Sequence, residues 1–205
     1  MPKELRSRMN REQRRQSILQ AATSLVAQYG YWGLTLRDVA REAHITETGV
    51  LYHFKDKERL LLAIVEYNDD IVGRAIGQQL GVIGDIDYRL GIAVQHPITM
   101  RDLSIATASV NKNRPEFVRL YTMLQAESLA TDHPAHEFFA DRERRVLNEY
   151  AIACERDDVD NPQAVAREVL SAMDGLQIRW LHNIESMDFL KEWTRFINRL
   201  IPLKN

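Results

Sequence analysis

Cysteine, strand patterning and long apolar runs are scarce or missing in this 205-residue chain, and each scarcity removes a class of protein. Cys154 is the only cysteine. No internal disulfide can form, which fits a reducing compartment, and its ordinary role is a small thiol in a core. No window approaches the roughly 20 consecutive apolar residues that a membrane span needs. The opening stretch "MPKELRSRMNREQRRQ" has arginines but lacks the apolar segment of a secretory signal. These features predict a cytoplasmic protein with no membrane partner. No nucleophile–base pair or carboxylate constellation stands out, so neither an enzyme nor a cofactor is expected.

What is present is 45% apolar residues, enough for a sizeable core, and an uneven charge distribution. The net charge of −2 conceals a split. Residues 1–57 carry ten Lys and Arg against six Asp and Glu, so the acidic excess lies in the rest of the chain. A basic head on an acidic body suits a module that binds a polyanion, carried on a scaffold that does not.

Apolar residues recur at helical spacing almost throughout, which predicts an all-α protein. Ile18, Ala21, Ala22, Leu25 and Val26 share one face of a first helix over 11–29, with Gly30 at its end as a left-handed cap. Thr35 and Thr46 are placed to cap two short helices, ending near Ala43 and His53, and Asp56 caps a longer one from Lys57. The glycine-rich run "GRAIGQQLGVIGDID" predicts fraying near Leu80 and then a loop. Further helices are expected at 88–95 and 100–111. Pro115, Pro134 and Pro162 are read as first-turn prolines of helices over 115–130, 134–156 and 162–182, and Ser186 as the cap of the last.

The two short helices have helix-turn-helix spacing. Leu36, Val39 and Ala40 bury the first, Ile45 fills the turn, and Val50 and Phe54 bury the second. Thr46, Glu47, Thr48, Gly49, Tyr52 and His53 then face outward. These are mostly short or planar hydrogen-bonding groups where a solvated face would carry long charged ones.

The run "LTLRDVAREAHITETGVLYHFKDKERLL", with "ILQAATSLVAQYGYWGLT" before it, resembles the tetracycline-repressor-like (TetR) regulators. The resemblance covers roughly residues 11–65. It departs from the family at the turn, where His44 stands in place of the usual glycine and needs a positive φ. It implies an N-terminal three-helix DNA-binding domain plus a larger C-terminal helical domain for ligand binding and dimerisation. The corresponding boundaries are a basic arm over 1–10, a DNA-binding domain over 11–67 with the motif at about 35–54, and a C-terminal domain over 68–205. It further implies that Tyr52, His53 and Lys57 reach phosphates. Thr35 and the amides after it can offer a helix N-terminus to phosphate, with Arg37 beside it. Thr46, Glu47, Thr48 and Gly49 are the candidates for base edges, although the acid Glu47 suits a cytosine amino group and not a phosphate. The arginines at positions 6, 8, 11, 14 and 15 are candidates for further phosphate or minor-groove contacts.

One such motif reads few base pairs, so a homodimer on a palindromic double-stranded operator is expected. By the family resemblance the last two long helices pair with their mates. Val165, Val169, Met173 and Leu176 on one, and Trp193 and Phe196 on the other, carry the apolar stripes, which also suit packing within their own chain. Phe117, Tyr121, Leu124, Gln177 and Trp180 are candidates for a largely apolar effector pocket. His133 and His136 flank a proline and suit a helix start better than a metal site, so no metal is expected. The resulting expectation is a ligand-responsive homodimeric repressor released by a small-molecule effector. A helical interaction module and a small helical enzyme are the rival classes, and neither accounts for the outward face of the third helix.

Overall fold

The computed structural model describes residues 9–82 and 86–202. Most of the basic arm, with Arg6 and Arg8, therefore lies outside the described residues. Among those described, ten α-helices and no strands are present. The head comprises α1 (Arg11–Gly33), α2 (Leu36–Glu42), α3 (Glu47–His53) and the start of α4 (Lys57–Gln79). The body adds α5 (Ile92–Gln95), α6 (Met100–Lys112), α7 (Pro115–Glu127), α8 (His136–Arg156), α9 (Pro162–His182) and α10 (Phe189–Leu200). None of these helices is long and apolar enough to cross a membrane.

Local chemistry sets most of the boundaries. Asn10 and Gln13 form a reciprocal capping box at the start of α1: Asn10 Oδ1 accepts from the Gln13 amide at 2.8 Å, and Gln13 Oε1 from the Asn10 amide at 3.0 Å. Thr35, Thr46 and Asp56 each accept from the amide three residues on, at 3.1, 3.1 and 2.7 Å. Pro115 and Pro162 start α7 and α9 as anticipated. Gly30 interrupts α1 with φ 71 and ψ −179, a conformation that costs glycine least.

Three expectations need correction. Pro134 does not begin α8; the chain makes a turn there and the helix starts at His136. Ser186 does not cap α10: Asp188 does, accepting from the Lys191 amide at 3.2 Å. The helix expected over 88–95 is confined to Ile92–Gln95, preceded by Gly91 at φ 90. Tyr88 turns inward instead, so close to Gly73 of α4 that a Cβ there would lie 2.6 Å from the ring. Gly73 thus makes room for Tyr88 while α4 stays helical.

The buried apolar residues form two clusters. Head residues, including Ile18, Leu19, Val39, Val50, Leu61 and Ile64, share the first with Leu120, Tyr121 and Leu124 of α7 and Phe139 of α8. The second lies inside the body, where Met173, Trp180, Phe189, Trp193 and Ile197 are enclosed. Phe117 packs against both. Each such side chain contributes about 1.5–3 kcal/mol by leaving water, so α7 and α8 add to the stability of the head.

Candidate nucleic-acid interface

Helix α3 is fixed from behind. Val50 is fully buried and Phe54 is 4% exposed, while Val39 and Ala40 on α2 face them from the same core. The intervening turn closes through the Ile45 amide, which donates to the Ala40 carbonyl at 2.9 Å. His44 takes the positive φ the turn requires, 54°. Thr46, Glu47 and Thr48 are left exposed along the outer side, and Tyr52 stands out at 71% exposure. Gly49 is half-buried, with Ile45 at van der Waals distance from where a Cβ would be.

Cations gather around this face. The Arg11 guanidinium lies 5.7 Å from the centre of the Tyr52 ring, and that of Arg15 lies 5.0 Å from Phe54. The start of α1 therefore flanks the end of α3. The Tyr52 and His53 rings meet edge to face at 5.3 Å. Burial lowers the His53 pKa from its ordinary value, and the positive field of Arg11, Arg14 and Arg15 lowers it further against a small opposing effect of Glu12. Arg37 is exposed at the head of α2. Arg41 instead pairs with Asp38 at 2.7 Å, as a helix neighbour, and Thr35 caps the same turn.

Lys57 sits differently from a free surface lysine. Its Nζ lies 4.2 Å from the centre of the Tyr31 ring, and burial lowers its pKa against the pull of Glu127. Glu127, at the end of α7, accepts from the Tyr31 amide at 2.8 Å. His133 closes the same seam, with its ring 5.0 Å from that of Tyr31. The two histidines considered for a metal are engaged at this turn. His133 Nδ1 accepts from the Ala135 amide at 3.2 Å, and His136 Nδ1 lies 2.8 Å from the Ser128 carbonyl.

In the body, a cavity of about 320 Å³ opens between α6, α7, α8 and α9. Phe117, Tyr121 and Gln177 line it, as the sequence suggested. Leu124 does not: it is fully buried in the head-facing cluster. Trp180 is likewise committed elsewhere, stacked on Phe189 at 5.2 Å. Sequence reasoning missed Asn111, Arg142, Tyr150 and Asp174, which also line the cavity. Arg142 stands in a run of charge, "DRERR", that reads as a solvated face, and only the tertiary fold, which sets it beside Asp69 of α4 and Tyr121 of α7, turns it inward.

The candidate dimer residues divide in the same way. Val169 and Trp193 are fully buried and Met173 is 3% exposed, so the chain's own core encloses them and leaves no surface for a mate. Val165, Leu176 and Phe196 are half-buried. Leu176 and Phe196, with Ala172 and Gly175, line a shallow groove on the outside of α9 and α10.

The two short helices and the turn between them form a helix-turn-helix whose second helix is capped, exposed on its outer side and flanked by cations. Residues 18–64 match the family described as "Bacterial regulatory proteins, tetR family". An HTH-type transcriptional repressor of Mycobacterium tuberculosis is 29% identical over 81% of both chains. A TetR-family regulator structure from Rhodococcus sp. superposes with a TM-score of 0.68 at 24% identity, over 92% of this chain and 98% of that one. A regulator from Saccharomonospora viridis in complex with choline gives 0.70 at 19%, over 92% and 97%. Residues 18–64 thus carry the DNA-binding region of the TetR family, and the fold of the whole chain is similar to that of TetR-family regulators.

Proposed function

We propose that the protein is a homodimeric repressor that sets α3 of each copy into the major groove of a palindromic operator and releases it when a small molecule fills the body cavity. The observation that carries this reading is the division of α3 between a buried side, Val50 with Phe54 behind it, and an outer side of exposed Thr46, Glu47, Thr48 and Tyr52. Thr46, Glu47, Thr48 and Gly49 meet base edges. Tyr52, His53, Arg37, the Thr35-capped start of α2 and Lys57 hold phosphates. Leu176 and Phe196, with Ala172 and Gly175, supply the surface on which two copies meet about a two-fold axis. The cavity, close in size to the small-molecule range, supports an effector site in which Phe117, Tyr121 and Gln177 take part.

The test is a mobility-shift titration with DNA flanking the protein's own coding region, repeated across salt concentrations. A dimer that neutralises about 8 phosphates gives a log–log salt slope near −7. A flat salt response, or a protein that stays monomeric on its DNA, overturns the reading.

A further inference from the structure

The cavity between α6, α7, α8 and α9 has a chemical bias that narrows its ligand. Its floor is aromatic: the Phe117 and Tyr121 rings lie 4.5 Å apart, with Met173 beside them. Two acceptors in its lining, on Asn111 and Asp174, are poorly supplied with donors. Asn111 is 5% exposed, and its Oδ1 has no hydrogen-bond partner although the residue lines the cavity. An acceptor buried without a partner costs about 1–3 kcal/mol until a donor reaches it. Asp174 also lines the cavity, and its carboxylate receives one long contact, 3.4 Å from Gln125 Nε2.

Arg142 is the cation of the cavity wall, and it already has an anion. Its Nε lies 3.4 Å from Asp69 Oδ1 and its guanidinium 4.8 Å from the centre of the Tyr121 ring. Tyr121 donates to that same Asp69 oxygen at 2.7 Å. Glu149, nearby on α8, accepts from the Ala93 amide at 2.9 Å. Asp174 is therefore the carboxylate left facing the cavity without a cation of its own at contact distance. A half-buried carboxylate of that kind is satisfied by a cationic partner that also donates hydrogen bonds.

Resting on the effector-site reading above, we infer that the cavity takes an organic amine: a protonated nitrogen bearing N–H donors directed to Asp174 and the Asn111 carbonyl oxygen, on an apolar or aromatic body that lies against Phe117 and Tyr121. An anionic ligand would meet Asp174 and an orphaned acceptor, with Arg142 already engaged. A quaternary ammonium would satisfy the charge but leave Asn111 Oδ1 unpaired.

Titration calorimetry on the full-length protein tests this with three probes of similar bulk: phenethylamine, benzyltrimethylammonium and 3-phenylpropionate. Phenethylamine binds one per chain, benzyltrimethylammonium several-fold more weakly, and 3-phenylpropionate not measurably. Asp174→Asn, which keeps shape and an acceptor, weakens phenethylamine at least tenfold. Asn111→Asp keeps or strengthens binding, whereas Asn111→Leu weakens it about fivefold. A thermal melt of each variant establishes that it folds. Binding of 3-phenylpropionate as tight as that of the amine, amine affinity unmoved in folded Asp174→Asn, or no binding of phenethylamine overturns the assignment. Operator affinity measured on the same samples separates the two readings. Amine binding that depends on Asp174 but leaves operator affinity unchanged defeats the repressor mechanism and keeps the site. Operator release by 3-phenylpropionate keeps the mechanism and defeats the amine.

Discussion

At the scale of single residues, two titratable groups give opposite and checkable signatures. His53 is kept largely neutral at pH 7 by burial and by the positive field of Arg11, Arg14 and Arg15. A phosphate brought against it raises its pKa, so DNA binding takes up protons and strengthens as pH falls through the histidine range. Lowering the pH from about 8 to about 6 is expected to tighten operator binding in a fluorescence-anisotropy titration, and His53→Gln to flatten the effect. Asp174 has the opposite problem. Burial raises its carboxyl pKa and Glu143 adds to this, while Gln125 and Arg142 hold it down only in part. Its folded pKa therefore exceeds the unfolded one, and the stability it contributes in acid is lost as pH rises through the folded value. Asp174→Asn is expected to raise Tm at pH 7, with the gain shrinking as the buffer is acidified. Lys57 makes the third case. If it touches a phosphate in each copy, Lys57→Ala lowers the salt slope by about 2 across a dimer and weakens all DNA sequences alike. Thr48→Ala changes base preference instead.

At the scale of elements, the head was legible because its signals are local. Thr35, Thr46 and Asp56 cap within three residues, and the turn at His44 is fixed by one φ angle. The body was less legible because its outcomes depend on distant partners. Gly73 has no evident purpose in the sequence until Tyr88 is seen to occupy the space it leaves. Trp180 reads as a pocket wall until Phe189 covers it. Asn111 and Asp174 carry no motif at all. Gly30 illustrates both kinds of signal. Its place at the end of the first helical run is visible in sequence, but the reason it must stay a glycine is not. A Cβ there would lie 2.3 Å from Glu127 Oε1, the residue that holds the Tyr31 amide. Gly30→Ala is expected to cost about 1–3 kcal/mol from the backbone conformation alone, lowering Tm by roughly 2–10 °C. Glu127→Gln, which keeps an acceptor for Tyr31, costs less in the same melt.

At the scale of the whole molecule, the charge split and the geometry agree on orientation. Arg11, Arg14 and Arg15 lie around the end of α3, and the acidic excess belongs to the body. Assembly is where sequence patterning misleads most, because an apolar stripe at helical spacing does not say which flank is already covered. Val169, Met173 and Trp193 belong to the inside of one chain. Leu176→Glu, on the outer groove of α9 and α10, is expected to convert a dimer to a monomer in analytical ultracentrifugation and to abolish high-affinity operator binding. Met173→Ala in the core should chiefly lower stability, by about 2–5 kcal/mol.

The DNA-reading end does not close its own interior. Leu120 and Leu124 from α7 and Phe139 from α8 lie in one cluster with Ile18, Leu61 and Ile64. Grafting residues 9–66 onto a foreign scaffold would therefore strip away a wall of that interior, leaving a loosely packed fragment whose far-UV signal outlasts its sharp melt. A transplantable reader would have to carry α7 and the start of α8 with it. The helix-turn-helix and the body helices that wall its interior are thus inherited together, and separating them calls for cutting well beyond the motif.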